Sequence, residues 1–558
     1  RDVFAHQSVA ELAAVASPVA GGAVRAGASG LGRVPATPIM AWLDSLGSPY
    51  DRFNQSMLLQ VPAGLTQPVL AEALQRLVDH HDLLRARLVH DDAGLGLQVP
   101  PAGALEAGSL LSRVEVSGLG PDELSAVLCA EAAASAGRLA PSAGVMAQLV
   151  HFDAGAEAPG RLGIMVHHLV VDGVSWRILL PDLIAAVASV MSGQPVVLES
   201  VGTSFKQWSE VLCSEAASPS RVAELSLWQA MAPTPGEAPI GSWARAAATP
   251  GGTHEVAEAG TTGSLTASLS SSVTQALLTT VPAAFHGGVN DVLLAGLSAA
   301  VAEWRQRRGG RASDPVVVEV EGHGREEIAA GVELSRTLGW FTSMFPVALP
   351  GLACPFGELA GGQAGAGRAV TAVKELLAAL PDHGIGYGLL AYANPQTAAM
   401  LTALPAPQIG FNYLGRFPGP GAPAAGLGQE GWAMAAEGYS SALDRPLTHV
   451  VEVNAAVADG TEGPVLTASW GWAGELLDEE AVAELAGLWF AALSGIAAHA
   501  ARPGVGGHSP SDFALIDLTQ ADIAALEAAG ARRAVSPELP PDVTADPHVG
   551  GVSFLEDQ

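Results

Sequence analysis

Between Pro38 and about Ala529, short apolar runs with the two-residue alternation of strands alternate with Ala/Leu-rich runs that repeat every three to four positions. Leu162 to Val166 and Val316 to Val320 read as buried strands, and Leu183 to Met191, stopped by Gly193, reads as a helix. No short repeat underlies the pattern, so it predicts mixed α/β layers rather than a solenoid. A polar, Pro/Gly-rich stretch over 233–263 separates an N-terminal lobe, 36–232, from a C-terminal lobe, 264–532. Ahead of them, residues 2–16 set Val3, Phe4, Val9, Leu12 and Val15 near one helical face, too short a segment to fold alone. A Gly/Ala/Ser/Pro linker is expected over 17–35, and the proline- and acid-rich 533–558 read as a flexible outgoing linker.

Composition narrows the function classes. With 49% hydrophobic and 15% charged residues, 558 residues suffice for two lobes of ordinary domain size. A formal charge of −29 argues against nucleic acid or an anionic membrane surface as partner. Cys129, Cys213 and Cys354 are widely separated, which suggests neither a disulfide framework nor a zinc site and fits a reducing, cytoplasmic setting. No stretch reads as a membrane span, and Arg1 opens an already amphipathic segment, as expected of a piece of a longer parent.

The sharpest local chemistry is His167-His168-Leu169-Val170-Val171-Asp172-Gly173, at the end of a predicted strand and just before a helix. Alternation along the strand sends the two imidazoles opposite ways, so one of them reaches a shared reaction site. Imidazole suits proton transfer near neutrality. An ionised Asp172, if buried, needs a partner, and Arg325 is the first candidate for an ion pair. Gly384 to Gly388 has GxGxG spacing, but no ribose-binding acid follows, so a tight turn is expected there.

HHxxxDG resembles the active-site signature of the condensation superfamily of nonribosomal peptide synthetases. The segment Val174-Ser175-Trp176-Arg177-Ile178-Leu179 then resembles the epimerization branch of that superfamily. So do Pro38 to Trp42, Phe53-Asn54-Gln55-Ser56, Glu321-Gly322-His323-Gly324-Arg325-Glu326, Arg336 to Thr342, Gly384 to Gly388 and Phe411-Asn412-Tyr413-Leu414-Gly415. These blocks keep the family's order over about 500 residues, with small departures at Leu338 and Arg416. The resemblance implies an α/β fold of two chloramphenicol-acetyltransferase-like lobes in a V-shaped pseudo-dimer with a central substrate channel. Residues 1–16 resemble the last helix of an upstream peptidyl carrier domain, without its phosphopantetheine serine.

The implied activity is inversion of the α-carbon of an L-aminoacyl or peptidyl thioester toward a D/L mixture, in the biosynthesis of peptide antibiotics. Inversion through an enolate needs a base, a proton donor on the opposite face and relief of charge on the thioester oxygen. The resemblance implies His168 and Glu321 as the pair, either being the base toward the L form. Glu321 can donate only if burial keeps its neutral form populated. Structural or orienting roles fall to His167, Asp172, Gly173 and Arg325, and substrate contacts to Asn412, Tyr413 and Trp176. No metal and no bound cofactor are expected: the substrate arrives on the 4'-phosphopantetheine of the upstream carrier and leaves toward a downstream condensation domain or module. Two rival readings are a condensation domain that forms a peptide bond and a catalytically silent docking domain.

Overall fold

A computed structural model describes residues 30–47, 50–92, 94–233, 262–419, 431–440, 447–513, 515–516 and 518–535. The carrier-like helix over 1–16, most of the 17–35 linker and of the 233–263 connection, and the tail from 536 lie outside the described residues. The chain divides into two compact units, Arg1–Gly506 and Gly507–Gln558. In the second, the helix Gln520–Val535 follows a short turn at Pro510–Phe513, and Glu527 accepts the backbone N–H of His508. Residues 533–535, expected to belong to the outgoing linker, are instead the end of this helix.

In the first unit, the N-terminal half carries β1 (Gly32–Pro35), β2 (Asn54–Val61), β3 (Arg87–Asp91), β4 (Gly94–Val99), β5 (Leu111–Glu115), β6 (Ala147–Asp153) and β7 (Gly160–His167). The C-terminal half carries β8 (Thr262–Ser268), β9 (Val316–Gly322), β10 (Ser343–Leu349), β11 (Ile409–Phe417), β12 (Ala433–Met434), β13 (Val451–Gly460) and β14 (Gly463–Ala473). The mixed α/β architecture expected from the apolar pattern is present. One correction falls at the start: Gly32–Pro35, expected to be linker, pairs with β4, because Val34 is apolar and fully buried. The helix expected from Leu183 starts at Trp176 and accommodates Pro181 in its interior.

Six strands form the C-terminal sheet in the order β10-β9-β11-β13-β14-β8. Val316, Val318 and Val320 turn one face of β9 into a core that the helices Val289–Arg307 and Glu479–Ala500 cover. Gly296 lets those helices close: a Cβ there would stand 2.7 Å from Leu493. Glu479–Ala500 is long and apolar enough to cross a bilayer, against the expectation that no segment is, yet Leu485, Trp489, Leu493 and Ile496 are buried in this core. Its apolarity comes from packing on both sides.

Two pieces of the C-terminal half belong to the N-terminal half's packing, which the simple division at 233–263 did not anticipate. Leu334, Leu338, Trp340, Phe341 and Met344 join the N-terminal core. The strand β12 adds to the edge of the five-stranded sheet β12-β2-β7-β6-β5, pairing Ala433 with Gln60 and Met434 with Leu59. Beyond it the Tyr439 ring covers Gly163, where a Cβ would meet it at 2.5 Å, and its hydroxyl meets Ser135 at 2.9 Å. The Glu437–Arg161 pair at 2.8 Å fixes the same segment.

Truncating Tyr439 to Ala leaves a cavity over Gly163 and is expected to cost about 3 to 5 kcal/mol, read as a lower urea midpoint. Tyr439→Phe, which loses one hydrogen bond, should cost about 1 kcal/mol.

Candidate active site

The strand β7 ends between the two histidines. His167 closes it fully buried, its Nδ1 accepting the Leu169 N–H at 3.2 Å and its Nε2 standing 2.9 Å from the Tyr50 carbonyl. One nitrogen accepts and the other donates, which defines a neutral tautomer. Burial, aided by His168, lowers its pKa to about 4 against the pull of the Tyr50 carbonyl. His168 starts the turn His168–Val170 and faces another way, its backbone N–H on the Phe53 carbonyl at 2.8 Å.

The His168 imidazole meets Phe53, Trp340 and Gln55. It stacks on Phe53 at 4.7 Å between ring centroids and meets Trp340 at 4.8 Å. Its Nε2 lies 2.9 Å from the Gln55 amide nitrogen, while Gln55 Oε1 accepts the Trp176 indole N–H at 2.7 Å. Indole N–H can only donate, so it dictates which end of the amide turns toward His168. Gln55 therefore donates to Nε2, and the neutral ring carries its proton on Nδ1. Trp176, expected at the substrate, is instead buried behind Gln55 and orients it. Sequence reading assigned no role to Gln55 or Trp340; Gln55 falls within a family-like block, but only the fold puts it on the imidazole.

Asp172 and Arg325 meet as expected, in a buried network. Asp172 Oδ1 accepts from the Ser175 N–H and hydroxyl, each at 2.7 Å, and from Arg325 Nη2 at 3.2 Å, while Oδ2 accepts the Phe341 N–H at 3.2 Å. Arg325 also donates to the carbonyls of Leu334 and Thr337 and lies 3.7 Å over the Phe341 ring. Gly173 is exposed, and a Cβ there would meet nothing within 4 Å. Within the GxGxG segment only Gly384 has positive φ; the tight turn falls just ahead, at Asp382, His383 and Gly384, and Ile385–Gly388 form a short helix instead. Asp382 is held by Arg221 at 2.7 Å.

On β9, alternation points Glu319 and Glu321 away from the valine core. Glu321 Oε2 accepts the Asn412 amide N–H from β11 at 2.7 Å. Both line an open cavity of about 350 Å³ with Trp42, Met344, His449 and Glu452. An adjoining aromatic cavity of about 480 Å³ shares Trp42, Glu319 and Met344 and is walled by Trp340, the residue against His168. His168 itself lines neither of these two cavities. Tyr413 departs from expectation: one residue past Asn412, it turns to the opposite face of β11 and packs on the C-terminal core. Burial raises its phenol pKa against the pull of Arg416 and Arg177.

The signal that could have found Glu319 is its spacing of two from Glu321. His449 and Glu452 gave none. His449 Nε2 lies 2.9 Å from Glu319 and its Nδ1 3.6 Å from Glu452. Burial pulls its pKa down, but the hydrogen bonds and charges of the two carboxylates together raise it to about 9. Among the described residues one group has metal-ligand spacing, His80, His81 and Asp182. Asp182 already binds His81 and the Arg336 guanidinium, so a cation there would have to displace an arginine.

A family model described as condensation domain matches residues 40–437. The chain is 36% identical over 530 residues to a linear gramicidin synthase of Brevibacillus parabrevis, covering 94% of this chain and 10% of that protein. It is also 36% identical over 546 residues to chondramide synthase of Chondromyces crocatus, covering 96% of this chain and 13% of that protein. It thus spans about a tenth of the length of these relatives. Among solved structures it is similar to the epimerization domain from the third module of tyrocidine synthetase B, with TM-score 0.69 and 26% identity over 84% of this chain and 97% of that one. The first condensation domain of the calcium-dependent antibiotic synthetase shares the fold at TM-score 0.57 and 18% identity, over 84% of this chain and 97% of that one.

Two pH windows of stability follow from the histidines. The contribution of His167, held neutral, is present above about 6.5 and lost as pH falls through about 4. That of His449, held charged, is present below about 6.5 and lost as pH rises through about 9. Thermal midpoints should therefore fall on both sides, and His449→Gln should flatten the alkaline arm. Replacing Arg325 by Met leaves Asp172 buried without its cation, with an expected loss of about 3 to 5 kcal/mol in urea unfolding.

Proposed function

This chain belongs to the condensation-domain family of nonribosomal peptide synthetases, and within that family we propose that it epimerizes the α-carbon of an L-aminoacyl or peptidyl thioester. The substrate would be carried by the phosphopantetheine of an upstream carrier domain and passed to a downstream condensation domain or module. The observation that carries the reading is a second titratable group in addition to the histidine motif: Glu321, oriented by Asn412, on the wall of a cavity that adjoins the one walled by Trp340. Peptide-bond formation can proceed with one base at an attacking amine. Inversion needs a donor as well.

In this mechanism one of His168 and Glu321 removes the α-proton, the C–H pair forming the enolate C=C bond as the carbonyl π pair moves onto the thioester oxygen, and the other returns a proton to the opposite face as that oxygen pair re-forms the carbonyl. His168 needs a lone pair to act as base, and Gln55 N–H occupies that lone pair at Nε2. Substrate must displace the amide, which Trp176 keeps from turning its oxygen toward the ring. Phe53 and Trp340 shield the imidazole from water, which strengthens its interactions with charge developing nearby. Asp172 and Arg325 do no chemistry; they anchor the segment that brings Trp340 onto His168.

The test uses the chain with a carrier domain loaded with an L-aminoacyl group, in deuterium oxide and with no second carrier. Deuterium is expected at the α-carbon together with loss of L configuration. His168→Ala and Glu321→Gln should each slow exchange by about 100-fold or more. Exchange at the unaltered rate in Glu321→Gln removes the carboxyl from the chemistry. No exchange without an amine-bearing second carrier favours condensation instead.

A further inference from the structure

The aromatic cavity that Trp340 walls has no task in the mechanism above. Trp42 and Trp208 reach it from the helices Pro38–Ser45 and Phe205–Ala216, and Tyr387 and Tyr392 from the C-terminal half. Trp42 and Tyr392 meet no other ring among the described residues, so an aromatic guest finds ring partners there. Tyr392 sits on a π-helical turn, Leu389–Ala393, an irregularity frequent at functional sites. At the start of the Pro38–Ser45 helix, Thr37 departs from the habit of its residue type. An N-cap threonine ordinarily turns its oxygen onto the first helical N–H groups. Thr37 gives its carbonyl to the Ala41 N–H at 3.0 Å, but its hydroxyl makes no cap. The residue is 2% exposed and lines the cavity, and its Oγ1 has no hydrogen-bond partner among the described residues. Of the cavity walls it alone, among the described residues, contributes a buried polar atom in that condition. A hydroxyl withheld from both water and the helix costs stability unless something in the cavity pairs with it.

We propose that this cavity receives the side chain borne by the α-carbon under inversion, and that it selects an aromatic ring with one hydrogen-bonding atom, which Thr37 Oγ1 engages. This rests on the epimerase reading. Two observations put the cavity beside the chemistry: Trp340 is both its wall and the ring against His168, and Trp42, Glu319 and Met344 are shared with the cavity that Glu321 lines. A substituent on a carbon set between His168 and Glu321 therefore has the aromatic cavity as its neighbour. Its volume of about 480 Å³ falls within the range of small-ligand sites. A hydroxyl can donate or accept, so a phenol and an indole N–H both satisfy Thr37, whereas a plain phenyl ring leaves it unpaired. Glu319 on the same wall is already engaged, 2.9 Å from His449 Nε2. Thr37, Trp42 and Tyr392 thus determine specificity and take no part in proton transfer.

The test follows deuterium uptake at the α-carbon with a carrier domain loaded with L-tryptophanyl, L-tyrosyl, L-phenylalanyl or L-alanyl groups. Each is offered as the free aminoacyl thioester and with its amine acetylated, which stands for a peptidyl chain. The faster of the tryptophanyl and tyrosyl thioesters is expected to exchange about 100-fold faster than alanyl. It should also exchange about tenfold faster than phenylalanyl, the worth of one buried hydrogen bond. Thr37→Val keeps the shape and loses the hydroxyl, and should abolish that second, tenfold preference. A merely structural role for Thr37 would slow every thioester alike and leave the ratios in place. That result, or alanyl exchange as fast as aromatic exchange, overturns the proposal. If Thr37→Val fails to fold, the wild-type ratios decide: a phenylalanyl rate equal to or above both others refutes it, and the expected order supports it. Silence from every thioester defeats the epimerase reading and the pocket with it, whereas exchange without selectivity defeats the pocket alone.

Discussion

The buried carboxylate of Asp172 is where the two halves of the first unit are joined on the histidine side. It gathers donors from its own turn, at Ser175, and from a segment more than 150 residues later, at Arg325 and Phe341. A carboxylate taken out of water is tolerable only when such donors are all in place. Once they are, Phe341 is held under the Arg325 guanidinium and Trp340, its neighbour, is delivered onto the His168 ring. The environment of the imidazole is therefore set by an ion pair that never touches it.

Orientation by neutral groups is the second theme. His167 is kept uncharged by burial and by a pair of backbone contacts that assign its two nitrogens opposite tasks. At His168 orientation comes through a relay in which a donor-only indole fixes an amide, and the amide meets the ring. Neither arrangement adds charge near the histidines. Titratable groups are concentrated instead along one cavity, which Glu319, Glu321, His449 and Glu452 line.

What the sequence made legible was what is local in the chain. The apolar run Val316 to Val320 marked a strand, and Asp172 called for an ion pair with Arg325 as first candidate, which lies at 3.2 Å. Contacts that depend on the third dimension were illegible. No pattern marks Leu334 to Met344 as part of the N-terminal core, because its apolar residues would suit either half. Trp176 and Tyr413 were both assigned to the substrate from their motifs, yet one lies behind Gln55 and the other on the far face of its strand. His449 is 130 positions from Glu319, and what unites them is a missing side chain at Gly410.

The strand β12 also bears on how the chain comes into being. It covers part of the β2 edge, yet it follows β2 by more than 370 positions, so at ordinary rates of translation that edge waits on the order of 20 to 75 s for its cover. During that interval a growing polypeptide exposes unpaired backbone groups able to recruit a neighbouring nascent chain. Crowded polysomes and slow codons before Ala433 would lengthen the hazard, whereas anything that shields β2 until then would raise the yield of correctly assembled protein.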